Sequence, residues 1–193
     1  MRSLNNAPWL VRAGADGRMF GCHFGTVTTP LATPATTALA AARPQAWMTI
    51  PNGTLVIPTS VRIVVESAGA TTQGEISLCS TTNDVGNGTS AAGTSGALNT
   101  NTGSTITSLA VPRQLATADV TAETGLLEHA RFIFQTSIGV TTTSPQIFTW
   151  PAPGNSDELP FLRGPASWLV YIGGNAVNFY AQFKWVEYPE AAT

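Results

Sequence analysis

Charged residues are scarce in this chain. Asp, Glu, Lys and Arg make up 10% of its 193 residues, against roughly 25% in an ordinary soluble domain. The nine basic side chains include a single lysine, Lys184, and stand against eleven acids for a net charge of −2. A nucleic-acid interface needs a basic stripe, because counterion release from phosphates supplies most of its affinity. Nine scattered cations do not build one, so no nucleic-acid partner is expected. Low net charge with 43% hydrophobic residues also excludes a disordered chain. No apolar run approaches the ~20 residues of a membrane helix, and no membrane partner is expected. The opening MRSLNNAPWLVRAGADGR lacks the apolar core of a secretory signal, which leaves synthesis in the cytoplasm as the expectation.

Histidine and cysteine occur only twice each. Cys22 and Cys79 do not by themselves define a disulfide. Cys22 and His23 are adjacent, so on a strand they point to opposite faces and cannot chelate one ion together. With no further ligands at metal-binding spacing, neither a metal nor another cofactor is expected. Catalytic signals are equally thin. A serine or cysteine nucleophile needs a histidine beside it, and the G-x-S-x-G elbow is missing: Gly93-Thr-Ser-Gly is one residue short. A hydrolase would have to draw on His129, Asp157 and Glu158, yet a turn explains NSDELP without catalysis. The expectation is a protein that is not an enzyme.

Small polar residues take the place of the charges: 28 Thr, 13 Ser, 18 Gly and 13 Pro. Threonine is β-branched and suits a pleated strand. Short alternating runs bear this out. In VRIVVES, Val61, Ile63 and Val65 share a face opposite Arg62 and Glu66. In EISLCS, Ile76 and Leu78 alternate with Glu75, Ser77 and Cys79. ARFIFQTS sets Phe132 and Phe134 against Arg131 and Gln135. SWLVYIG sets Trp168, Val170 and Ile172 against Leu169 and Tyr171. VNFYAQFKWVEY is the clearest, with Val177, Phe179, Ala181, Phe183 and Trp185 on one face and Asn178, Gln182 and Lys184 on the other. Period two means one face packs a core while the other meets water or a partner. Weaker strands are read at AWMTI, TLVIP, STITSLAV and QIFTW, and MFGCHFGTV near the N-terminus reads as a short strand. The pattern predicts an all-β fold of two antiparallel sheets packed as a sandwich. A jelly roll is the first expectation and an immunoglobulin-like Greek key the second.

Residues 1–45 read differently. Pro30, Pro34 and Pro44 forbid continuous helix or central strand through TTPLATPATTALAAARPQ, and only TTALAAARP has room for a short helix. The division expected is an extended Pro/Thr/Ala-rich N-terminal arm over 1–45 and a sandwich domain over 46–193. Trp9, Arg12, Arg18, Pro30, Pro34 and Arg43 are the arm's candidate contact residues. Deleting residues 1–44 is expected to leave a folded body. The nearly uncharged stretch 81–105 is too long for a hairpin turn and reads as a surface loop, a contact with another copy or a disordered segment. Trp9, Trp150 and Tyr180 are the aromatic candidates for stacking on a sugar.

At the C-terminal end, DELPFLRGPASWLVYIGG followed by AVNFYAQFKWVEYPE resembles the end of jelly-roll virion proteins from tailed bacteriophages, among them capsid decoration (cement) proteins and head or tail appendages. The likeness is a Leu-Pro and Gly-Pro turn, an apolar strand, a short gap and an F-x-A-x-F-x-W-V-E strand, a pattern read as a β-hairpin. It implies a non-catalytic structural role on the capsid surface of a virion. The implied partners are a major capsid protein or other virion protein and further copies of the chain, with a trimer favoured. The other roles weighed are a carbohydrate- or receptor-binding module of a fibre or spike, with a glycan as ligand, and a jelly-roll capsid protein.

Overall fold

A computed structural model describes residues 8–26, 28–33, 35–36, 39–67, 73–86, 91–92, 96–114, 125–134, 145–151, 159–175 and 177–190. In chain order these form the helix α1 (Trp9–Ala15) and strands β1 (Met19–Phe24), β2 (Leu31–Ala32), β3 (Ala35–Thr36), β4 (Ala46–Ile50), β5 (Thr54–Ser67), β6 (Gly74–Thr81) and β7 (Ala91–Ala92). There follow β8 (Leu98–Asn99), β9 (Val111–Gln114), β10 (Leu127–Phe134), β11 (Gln146–Trp150), β12 (Leu162–Arg163), β13 (Ala166–Asn175) and β14 (Asn178–Pro189). One antiparallel sheet runs β11-β5-β14-β1-β8, with β12 also on β5 and β2 also on β14. The other runs β10-β6-β13-β4-β9-β7, with β3 also on β13. The two sheets pack face to face as the expected sandwich.

Alternation assigns the core. The first sheet turns Phe20, Cys22, Phe24, Val61, Ile63, Val65, Phe179, Ala181, Phe183 and Trp185 inward, and the second answers with Met48, Ile50, Ile76, Leu78, Trp168, Val170 and Ile172. These side chains form one buried cluster, and its apolar area is what drives the sheets together.

Several elements differ from the sequence reading, each for a physical reason. TLVIP and VRIVVES form one long strand, β5. Its Pro58 sits where the register against β14 slips, Lys184 pairing Ser60 and Trp185 pairing Pro58. On its other side β5 is paired by β12 at Leu55 and Val56 and by β11 at Val61–Val65, so the proline falls between the two. A bulge is where a strand tolerates a proline. The β-hairpin read at the C-terminus is absent: β13 and β14 lie in opposite sheets, because each has its own strongly apolar face and both faces must point into the same core. STITSLAV forms no strand before Val111, and TTALAAARP forms no helix over its described residues, which hold β3 and a turn at Ala41–Ala42.

The first 45 residues, expected as an arm, are joined to the body along most of their described length. β1 lies between β14 and β8. Phe20 stacks on its cross-strand partner Trp185 at 6.0 Å, and Phe24 meets Phe183 edge-on at 4.8 Å; such pairs add about 0.5–1.5 kcal/mol each beyond area burial. WLVRAGA, read as a polar start, is a helix whose Ala13 packs on Ile57 and Val186 outside the first sheet.

Candidate functional site

The expected contact residues are dispersed. Trp9 and Arg12 are exposed on α1, and Arg43 is exposed beside the second sheet. Arg18 is half-buried and its carbonyl accepts the Glu187 N–H, while Pro30 is half-buried next to β2. α1 packs at Val186 and β2 pairs at Phe179, roughly 23 Å apart along β14 at about 3.3 Å per residue. Pro34 lies outside the described residues. These positions do not share a single surface.

Much of the outer face of the second sheet is covered by the chain itself, leaving a cavity of about 220 Å³ between Leu39, Leu126, Glu128 and Tyr171. Trp47, Cys79, Val85, Leu169 and Tyr171 form a second buried cluster there, with Leu39 and Leu126 packed against it. The cover is hydrogen-bonded in place: the Trp47 indole donates to Gly86 O at 3.3 Å and Tyr171 OH to Ala41 O at 2.9 Å. Ser167 Oγ donates to Asn83 O and accepts the Val85 N–H. Leu169 and Tyr171, read as opposite the core, therefore bury against segments 39–45 and 83–86.

A bulge in β10 creates the polar clusters on that side. Glu128 pairs Cys79 and Ala130 pairs Leu78, so His129 is the extra residue. In a regular strand Glu128 would share the inward face of Ala130; the bulge turns Glu128 out, to the same face as Arg131. Arg131 then binds Glu128 at 2.6 Å and Glu75 at 2.7 Å. The guanidinium's hydrogen bonds pull the Glu128 carboxyl below its ordinary value, and Arg131 in turn is pushed up by Glu128. Ser77 donates to Glu128 at 3.0 Å, leaving the Cys79 thiol, 3.2 Å from Ser77 Oγ, to donate to that oxygen. Burial pushes the Cys79 thiol up, making it a poor nucleophile.

His129 itself turns toward the sandwich edge. Its Nε2 is 2.8 Å from Ser80 Oγ, and its ring lies 4.8 Å from Trp168 and 6.1 Å from Trp150. Burial lowers its basicity. Of the residues a hydrolase would draw on, the structure thus brings His129 to a buried serine that sequence reasoning missed. Asp157 and Glu158 lie outside the described residues. Trp150 packs on Trp168 at 5.0 Å and is buried, so its ring is no platform for a ligand.

The first sheet's outer face is open beyond α1. Register places His23, Gln182, Arg62 and Thr149 in a row across β1, β14, β5 and β11. The next row holds Tyr180, Val64 and Ile147. A groove of about 380 Å³ lies over both rows, lined by His23, Arg62, Val64, Tyr180 and Gln182. Burial, then the charge of Glu66, raises the Tyr180 phenol above its ordinary value. Sequence periodicity put Arg62 and Gln182 on outward faces; their adjacency depends on strand order and was not readable from it. Cys22 faces the core while His23 faces out, and neither Cys22 nor Cys79 is in a disulfide. Among the described residues no group of three or more His, Cys, Asp or Glu could hold a metal ion, and no helix is long and apolar enough to cross a membrane.

These features define an antiparallel β-sandwich with one outer face partly covered by the chain and the other grooved. No family model, curated protein or solved structure matches the chain.

Proposed function

We propose that this chain is a non-catalytic structural protein of a virion, of the capsid decoration or cement class of tailed bacteriophages, that stabilises the shell by bridging subunits. The observation that carries the reading is where large apolar side chains remain exposed. They include Trp9 and Val11 on α1, which lies over the first sheet, Phe161 just before β12, Ile147 on the edge strand β11, and Leu127 and Ile133 on the edge strand β10, the last two each 63% exposed. Exposed apolar groups on a sheet edge are a contact in waiting, because unpaired backbone groups lie beside them. Lateral contacts of this kind suit a protein that works in many copies, where weak contacts add through avidity. Few charges also keep repulsion between closely spaced copies small.

The strand order β10-β6-β13-β4, with the chain crossing between sheets among other places at β4–β5, β5–β6, β10–β11, β12–β13 and β13–β14, supports the jelly-roll form of the sandwich. The C-terminal resemblance supplies the virion and favours a trimer, a closed ring built from one repeated contact. With β1 in the sheet, attachment falls to α1 and the sandwich margins rather than to a free arm. Quantitative mass spectrometry and imaging of purified particles test the proposal. Many copies spread over the head lattice are expected; absence from particles, or a few copies at one vertex, overturns it.

A further inference from the structure

The open face of the first sheet holds polar side chains that the margin contacts leave unused. His23, Gln182, Arg62 and Thr149 stand side by side on four strands, a row roughly 14 Å long at about 4.8 Å between strands. Beside it lie the Tyr180 ring and Val64. We propose that this groove is a saccharide site that takes an acidic sugar. The inference stands whether or not the chain belongs to a virion.

The chemistry is that of a sugar site in three respects. First, guanidinium and amide groups are planar, with paired hydrogen-bonding atoms that match adjacent hydroxyls or a carboxylate. Among the described residues the side chains of Arg62, Gln182 and Lys184 make no hydrogen bond or ion pair. Second, an aromatic ring stands at the groove's edge in a fixed place. Gly25 has φ +88°, and a Cβ there would come within 2.8 Å of Tyr180 Cδ1, so glycine is what lets the ring lie against the end of β1. An aromatic face beside polar groups receives the C–H face of a sugar while the rim holds its hydroxyls. Third, the charge is graded. Arg62 is flanked by Lys184, two residues along β14 from Gln182 on the same face, while Glu66 sits beyond Val64 near Tyr180. A carboxylate belongs at the Arg62 and Lys184 end, with neutral hydroxyls toward Tyr180 and Glu66.

Titration of the full chain with 3′-sialyllactose, tetragalacturonate and lactose, followed through backbone amide shifts by NMR, tests the site. At least one acidic probe is expected to shift amides within 23–26, 62–64 and 180–182. Its affinity should fall at least tenfold in Arg62→Gln and in Tyr180→Ala, and should weaken as salt rises. Both variants should melt where the parent does, because neither side chain is in the core; Tyr180→Phe, which keeps the ring, checks any variant that does not. Failure of both acidic probes to bind overturns the proposal, as does binding that shifts other amides or is indifferent to Arg62. Lactose binding as tightly as 3′-sialyllactose overturns the acidic assignment.

Discussion

The carboxylate of Glu187 accepts the Ser108 hydroxyl at 2.6 Å, and with it the Leu109 N–H at 2.7 Å and the Trp185 indole at 3.3 Å. Glu187 is only 5% exposed and fastens segment 108–110 to the end of β14. Leaving buried donors unpaired costs about 1–3 kcal/mol each. Glu187→Ala is expected to lower stability by about 2–4 kcal/mol in urea unfolding and to raise hydrogen exchange at Leu109 and Ala110. Unchanged exchange there would mean the segment is held by other contacts.

Acidification should destabilise the fold in two stages. Burial depresses the His129 pKa below 6.5, so below that pH the unfolded chain binds more protons than the native one. The stabilisation is complete above about pH 6.5 and is lost as pH falls through the depressed value, with a slope of at most about 1.4 kcal/mol per pH unit. Glu128, depressed below 4.5, extends the loss at lower pH. Melting curves from pH 8 to pH 2 should show both stages, and His129→Gln should flatten only the first.

Gly74 faces Phe134 across the β6–β10 pair, and a Cβ on it would lie 2.2 Å from the ring and 2.8 Å from Gly173 O. Overpacking of this kind costs about 1–3 kcal/mol. Gly74→Ala should therefore lower the melting temperature, and Gly74→Ala with Phe134→Leu should recover part of the loss. An additive double mutant would place the strain at the carbonyl instead.

Removing residues 1–44 should abolish cooperative unfolding. The truncation deletes β1 from between β14 and β8 and strips Leu39 and Ala41 from over Tyr171. A truncated chain that melts as sharply as the parent would show β1 to be dispensable.

The sandwich was legible because a core face at period two is written directly into runs such as Val177–Trp185. What escaped depended on partners distant in sequence. Pro58 reads as a strand break, and only the split pairing of β5 by β12 and β11 makes room for it. MFGCHF reads as a minor strand in an arm until Phe20 meets Trp185. Leu169 and Tyr171 read as outward because periodicity does not say that another segment will cover that face. The Ser80–His129 pair and the Glu128–Arg131 pair both hinge on a one-residue bulge, which shifts every later side chain and leaves no mark in composition. The groove needs strand order, since His23, Gln182 and Arg62 come from three distant parts of the sequence.

β14 is flanked on both sides, by β5 made long before it and by β1 made near the start. During synthesis the ribosome therefore releases the early strands of the first sheet well before the strand that joins them. Until then β1 has only the short β8 beside it and β5 only β11 and β12, so the edges of both that β14 will fill stay unpaired, a state open to mispairing between nascent chains. Closure is a late, long-range event of the slow kind. A supply of chaperone, or a slow growth temperature, should therefore govern the yield of native protein more than the stability of the finished sandwich does.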